Sequence, residues 1–259
     1  MLTATDIRKS LNTKLFGKKI YTFETIDSTN DCAQMLAEQG AEEGIVVFAE
    51  KQTKGRGRLG RIWESEAGKN IMFSVILRPK FAQDQMGLIG FLIAVSVAEA
   101  IEKNINQSIE LKWPNDLLIN SKKFCGILLE ASFQQGMLDF IIVGIGVNVN
   151  QTTFSKELKE KATSLKLECG REFDRSAILR DILESLEVNY LETHRQGFNS
   201  IIERWAQRCH IFDKEIRISH RDKIITGKVV RLNSDGGLIV KLPDQKEIKV
   251  MAGDATVVG

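Results

Sequence analysis

Between Ile109 and Asn150 the chain carries four β-type segments in close succession: IELKW, DLLIN, KFCGILLEASF and LDFIIVGIGVNVN. The last three are separated by NSKK and QQGM, short links rich in turn-forming residues, which is hairpin chemistry. Strands joined this closely pair antiparallel, because a parallel return needs a crossover of roughly a dozen residues or more. The run therefore commits the chain to a mostly antiparallel or mixed sheet. Upstream, IYTFETI (20–26), GIVVFAE (44–50) and NIMFSVILR (70–78) add three further strands by their β-branched and aromatic content.

The helices expected around this sheet are marked by caps and period. TATD from Thr3 and STND from Ser28 fit the S/T-x-x-D pattern of a helix start, the second helix reaching about Gly40. Residues 86–104 are apolar over most of the circumference, which predicts a buried helix. In 174–196, Ile178, Ile182 and Leu186 with Leu179 and Leu183 recur at helical spacing, and 198–209 continues the theme. These two helices are expected to cover the sheet. Residues 154–170 are charge-rich and weakly periodic, so they read as a mobile segment or a surface helix. Beyond Lys214 short strands separated by tight turns such as NSDGG suggest a small closed barrel. The class is α+β, with a mixed-sheet domain over 1–213 and a small barrel over 214–259.

Composition removes several functional classes. The 36 basic and 34 acidic residues leave a net charge of +2, too small for global attraction to nucleic acid or membrane, so any anion site must be local. No apolar run approaches the roughly 18 residues needed to span a bilayer, and MLTATDIRKS lacks the layout of a signal peptide, so a cytoplasmic protein is expected. Cys32, Cys125, Cys169 and Cys209 are scattered and form no C-x-x-C, which reads as buried free thiols rather than a zinc cluster or a disulfide framework.

The candidate for such a local anion site is KGRGRLGRIW (54–63), where Gly55, Gly57 and Gly60 spell G-x-G-x-x-G. The dinucleotide fingerprint of that spelling requires a helix after the glycines to receive the pyrophosphate. A β-type segment follows instead, which argues against a nicotinamide site. What remains is a pliable loop carrying Lys51, Lys54, Arg56, Arg58 and Arg61. Arginine offers a planar, permanently charged fork matched to carboxylate or phosphate oxygens. A solvated basic loop, or one touching RNA backbones, is the competing reading. RNA binding would call for stacking aromatics among the cations, and only Trp63 serves.

Three more segments accompany the loop. KWPNDLLI (112–119) sets Asn115 and Asp116 in a rigid turn after Trp113-Pro114, SKKFCGILLE (121–130) brings Lys123 to a strand entrance near Gly126, and GIGVNVN (144–150) ends a buried strand with Asn148. Each alone is compatible with an ordinary turn or edge charge. In order, Q-T-x-G-R-G-R-x-G-R-x-W, K-W-P-N-D, K-x-x-G-I-L-x-E and G-I-G-x-N form a specific set that resembles the biotin protein ligases, from about Ser28 through the terminal strands.

The resemblance implies a mixed-sheet ligase domain followed by an SH3-like barrel, and a two-step acyl transfer. Biotin and ATP, with Mg²⁺, give biotinyl-5′-AMP and pyrophosphate; a lysine of a biotin carboxyl carrier protein then takes the biotinyl group. It implies biotin contacts for Ser28, Thr29, Asn30 and Gln52, and for Gly55, Arg56, Gly57 and Arg58 of the covering loop, with Lys123 and Gly126 beside them. For ATP and the adenylate it implies Arg58, Arg61, Trp63, Lys112, Asn115, Lys123, Asn148 and Ala162, with Lys123 catalytic, Arg58 gripping the phosphate and Asp116 available to Mg²⁺. Cys125 stands where relatives often carry a small apolar residue and is assigned to packing. A homodimer is a further expectation from the family, whereas a ligase that does not bind DNA is expected from a departure: the motif STN begins at residue 28, which leaves no room for the N-terminal DNA-binding domain that many bacterial relatives carry, and the net charge is near neutral. Lipoate ligases and octanoyl transferases share the general fold and are the nearest alternative, but they should lack the pairing of GRGRxGR with KWPND. A catalytically silent biotin binder is disfavoured by the intact Lys123 and Arg58.

Overall fold

A computed structural model describes residues 1–220 and 223–258, with the side chains of Gln83 and His220 also outside the description. Seven strands form one mixed sheet: β1 (Ile20–Ile26), β2 (Val46–Gln52), β3 (Ile71–Leu77), β4 (Glu110–Lys112), β5 (Asp116–Ile119), β6 (Lys122–Gln134) and β7 (Met137–Val147). Their spatial order is β1-β2-β3-β7-β6-β5-β4. Only β1 and β2 run parallel, and the crossover between them is made by α2 (Thr29–Glu38). The antiparallel run expected from residue 109 onward is present, with the β5–β6 and β6–β7 hairpins at the anticipated links.

Both faces of the central strands are covered, which is why β3 is buried along its whole length. On one face, Ala33 and Ala37 of α2 pack with Val47, Ile76, Phe140 and Ile142. The opposite face carries the main core, in which Phe73 and Val75 share one cluster with α3 (Met86–Glu102), the helix predicted to be buried. Thr3 and Ser28 cap α1 (Ala4–Arg8) and α2 as their sequence patterns require, Thr3 through a reciprocal capping box with Asp6.

Two expectations change in detail. The helices α5 (Arg175–Gln196) and α6 (Asn199–Arg208) form where predicted but pack chiefly against α3, as an outer layer rather than as the cover of the sheet. Phe91 of α3 stacks on Trp205 of α6 at a centroid separation of 4.1 Å, and Glu99 pairs with Arg204 at 3.0 Å. Residues 154–170 are neither a detached segment nor a surface helix throughout. Lys123 N donates to Lys161 O and Thr163 N donates to Lys123 O, laying this stretch against the start of β6, before the short α4 (Leu165–Cys169) begins at its Ser164 cap. Thr163, Ser164 and Leu165 are buried in consequence.

The C-terminal residues form a separate antiparallel sheet of β8 (Glu215–His220), β9 (Lys223–Leu232), β10 (Leu238–Lys241), β11 (Glu247–Val250) and β12 (Asp254–Val257), ordered β11-β10-β9-β8-β12. Trp113 of the K-W-P-N-D segment is buried, and its indole N–H donates to Gly236 O at 3.2 Å, fastening this sheet to the larger one. All four cysteines are free; Cys125 and Cys209 are buried while Cys32 and Cys169 are half-buried. Burial pushes the Cys209 thiol up to about 12 and the Cys125 thiol higher still, so neither offers a thiolate. Among the described residues no helix is long and apolar enough to cross a membrane.

Candidate active site

The register of the large sheet builds a floor. Lys112 lies opposite Asp116, Asp116 opposite Gly126, and Gly126 opposite Gly146, a row across β4, β5, β6 and β7. The neighbouring row sets Leu128 opposite Gly144 and Gly144 opposite Ser74. Above these rows opens a cavity of 410 Å³. Its depth depends on missing side chains: a Cβ on Gly146 would lie 2.5 Å from the Trp63 ring, and one on Gly144 would overlap the Asn30 carboxamide. Trp63 and Asn30 therefore lie directly on the backbone of β7.

A prediction follows from that fit. Gly146→Ala should drive a methyl group into the indole and displace it, costing ~1–3 kcal/mol by overpacking and lowering the melting temperature by a few degrees. An unchanged melting temperature would mean that the indole shifts away without strain.

Strict alternation would set Lys123 and Gly126 on opposite faces of β6. The pairing of β5 with β6 shifts between Leu117 and Leu118, so that Leu117 faces Cys125 but Leu118 faces Lys123. This bulge re-aims the lysine into the cavity, as bulges commonly do beside active sites. A Cβ on Gly126 would sit 3.1 Å from Lys123 Nζ, and the ammonium itself pairs with Asp116 Oδ1 at 2.7 Å. The same ammonium lies 5.5 Å from the centre of the Trp63 ring.

A buried polar network occupies the α2 side of the cavity. Gln52 Oε1 accepts from Thr29 N at 2.8 Å and from Thr29 Oγ1 at 3.0 Å, which leaves Gln52 Nε2 as the donor facing the cavity. The Ser74 hydroxyl donates to Asn30 Oδ1 at 2.6 Å, and Ser28, Thr29 and Asn30 are all buried.

The glycine-arginine segment closes the other side as a link between β2 and β3 with no helix after it, in keeping with the rejected dinucleotide reading. Gly60 adopts φ +74°, a backbone region open to glycine at little cost. Arg58 reaches the backbone oxygen of Gly253 at 3.5 Å and Asp254 at 4.0 Å, both too long for strong bonds. Burial lowers the affinity of its guanidinium for the proton, against the opposing pull of Asp254 and Asp116, yet an arginine in this setting stays charged. Arg61 makes a close ion pair with Asp254, so the C-terminal sheet supplies part of the wall.

Among the described residues, two buried polar atoms beside this wall have no partner: Trp63 Nε1, a donor, and Asn148 Oδ1, an acceptor. The other end of the Asn148 carboxamide donates to Thr163 O at 3.1 Å, so its orphaned oxygen is held in a fixed direction. Buried groups of this kind are costly unless something completes them, and a ligand that accepts at one point and donates at another would do so.

The structure gathers around one cavity Ser28, Thr29, Asn30, Gln52, Arg56, Gly57, Arg58, Arg61, Trp63, Lys112, Asp116, Lys123, Gly126, Asn148 and Ala162. Gly55 and Asn115 stand behind the wall. Gly55 lets its backbone approach Trp63 O, where a Cβ would come within 2.7 Å, and Asn115 spends its amide on Ile127 O at 3.2 Å. Asp254 and Phe154 also line the cavity and were not anticipated. Nothing in the local sequence of either signals a site, since each arrives through a distant segment. Among the described residues no group of three or more His, Cys, Asp or Glu side chains is arranged to hold a metal, and Asp116 is the carboxylate on the cavity floor.

Comparison with known proteins sets this geometry in context. Residues 22–148 match the model of the "Biotin/lipoate A/B protein ligase family", and residues 211–257 match the "Biotin protein ligase C terminal domain". The chain is 35% identical over 242 residues to "Bifunctional ligase/repressor BirA" of Bacillus subtilis (strain 168), covering 93% of this chain and 74% of that protein. It is 31% identical over 268 residues to "Biotin--[acetyl-CoA-carboxylase] ligase" of Mycobacterium tuberculosis, covering 96% and 91%. Among solved structures, the biotin protein ligase of Aquifex aeolicus in complex with biotin and ATP superposes with a TM-score of 0.80 at 30% identity, covering 93% of this chain and 99% of that one.

Proposed function

We propose, from the premise that this chain belongs to the biotin protein ligase family, that its 410 Å³ cavity is the chamber for both steps of the family reaction. The protein is an ATP-dependent biotin protein ligase. It activates biotin as biotinyl-5′-AMP and passes the biotinyl group to a lysine of a carboxylase carrier domain. A single observation supports the choice of chamber: the buried polar network around Thr29 and Gln52, the Lys123–Asp116 pair, Arg58 and the orphaned atoms of Trp63 and Asn148 all border one space.

In this reading the biotin head lies over Ser28, Thr29 and Asn30, with Gln52 Nε2 donating to the ureido carbonyl. The biotin carboxylate oxygen attacks the α-phosphorus of ATP, the bond from that phosphorus to the bridging oxygen breaks, and pyrophosphate leaves. Both reactants are anions, so the barrier falls when fixed cations hold them together. Lys123 supplies that charge to the carboxylate and α-phosphate oxygens, and Arg58 grips the phosphate. Arg61 and Lys112 face the departing phosphates, Trp63 and Asn148 receive the adenosine, and Ala162 closes over it. In the second step the ε-amine of the carrier lysine attacks the mixed anhydride, loses a proton and expels AMP.

Mg²⁺ fits as an ion carried on the triphosphate, which Mg²⁺ sites usually complete with one or two carboxylates and water. Asp116 would hold it, and it would neutralise phosphate charge. The two-unit division at 213/214 belongs to the same reading and is supported by the start of β8 at Glu215. Homodimerisation belongs to this reading through the family resemblance, a cytoplasmic location is part of the same proposal, and independence from DNA is supported by the near-neutral charge.

Substrate choice tests this reading. Incubated with α-labelled ATP and either biotin or lipoate, the protein should retain biotinyl-adenylate and then label a biotin carboxyl carrier domain. Formation of lipoyl-adenylate alone would overturn the substrate assignment.

A further inference from the structure

Glu130 closes the K-x-x-G-I-L-x-E pattern, yet no step above uses it. Its Oε2 accepts from Asn30 Nδ2 at 2.6 Å and from Arg56 Nη2 at 2.9 Å. The same arginine nitrogen donates to Asp31 Oδ1 at 2.6 Å, in the first turn of α2. One carboxylate oxygen thus joins the floor of the cavity to the hairpin that covers it. Asn30 is further fixed by the Ser74 hydroxyl and by its contact with the bare backbone of Gly144. With the carboxamide locked on three sides, Glu130 has one orientation in which to meet the guanidinium.

We infer that Glu130 is a positioning residue, which couples closure of the 55–61 hairpin to the biotin-head pocket by holding Arg56 and Asn30 on one oxygen. It touches neither reacting atom. The inference rests on placing biotin in this cavity and goes beyond it, because it makes Arg56 an anchor of the cover rather than a ligand contact. A charged acceptor suits this role, since bonds from guanidinium to carboxylate are shorter and stronger than neutral ones. The Arg56 and Glu130 side chains are 40% and 30% exposed, so the coupling is worth a several-fold effect rather than orders of magnitude.

The test compares wild type with E130Q, R56A and the double variant. Glutamine still accepts from Asn30 but loses the charge that holds Arg56. The readouts are KM for biotin, release of preformed biotinyl-adenylate in a chase, kcat and the melting temperature. Each single variant should raise KM and the release rate about fivefold, more than it lowers kcat. The double variant should release no faster than the worse single one, because both break the same link. Effects that multiply in the double variant would overturn the coupling. Arg56 lies on an exposed loop, so R56A is informative even where E130Q folds poorly, and a wild-type release rate in R56A also overturns it. A wild-type protein that forms no biotinyl-adenylate would overturn the pocket assignment and the coupling together, whereas normal formation with unaltered release in both variants overturns the coupling alone.

Discussion

Lys123→Ala is expected to slow biotin adenylation by about 10²–10³-fold, the range found when one preorganised group that stabilises transition-state charge is removed. Its ammonium is well placed to act on the reactants, because the bulge between β5 and β6 turns it into the cavity and Asp116 holds it at 2.7 Å. The attack must merge a carboxylate with a phosphate, and the uncompensated repulsion rises toward the transition state. Losing the charge should therefore depress kcat more than it raises KM. Folding should be little affected, because a pair in which both side chains are about a third exposed is worth ~0–1 kcal/mol. Biotin-dependent pyrophosphate exchange and a melting curve, measured together, decide the matter. An alanine variant exchanging at the wild-type rate would strip Lys123 of its role.

The second large effect concerns retention of the intermediate. Arg58→Gly should raise the release rate of biotinyl-adenylate by about thirtyfold or more, since truncating one partner of a desolvated charge pair costs ~2–5 kcal/mol and acts on the off-rate. Arg58 is well suited to grip a phosphate because its present contacts are weak, at 3.5 Å to Gly253 O and 4.0 Å to Asp254, so a phosphate can displace them at small cost. Escaped mixed anhydride acylates any accessible amine. The variant should therefore label bystander proteins in proportion to their exposed lysines, a result read directly on a streptavidin blot. Retention and labelling equal to wild type would show that the phosphate is held elsewhere.

These predictions depend on different kinds of legibility. The loop chemistry could be read locally: a strand, then glycines and arginines, then another strand instead of a helix, excluded a dinucleotide fold and left an anion site. The position of Lys123 could not, because period-2 alternation assigns it to the face opposite Gly126, and only the bulge on pairing with β5 reverses that. Glu130 stood in plain view within a motif, but its partners Asn30 and Arg56 are 100 and 74 residues away in sequence. Asp254 is remoter still from Arg61, at 193 residues. The segment 154–170 misled because its charges mask a short stretch whose backbone, rather than its side chains, docks on β6.

Sequence by itself determined the α+β class, the positions of the strands and of the helices outside 154–170, the small terminal β-unit and the residue types able to hold two anions. It could do so because capping, periodicity and turn chemistry act within a few residues, and because a guanidinium or ammonium carries its charge wherever the chain takes it. Tertiary structure alone decided which of those residues share a cavity. The row Lys112, Asp116, Gly126 and Gly146 exists only through strand register, and the order in which strands pair is set by burial of both sheet faces, a property of the whole molecule.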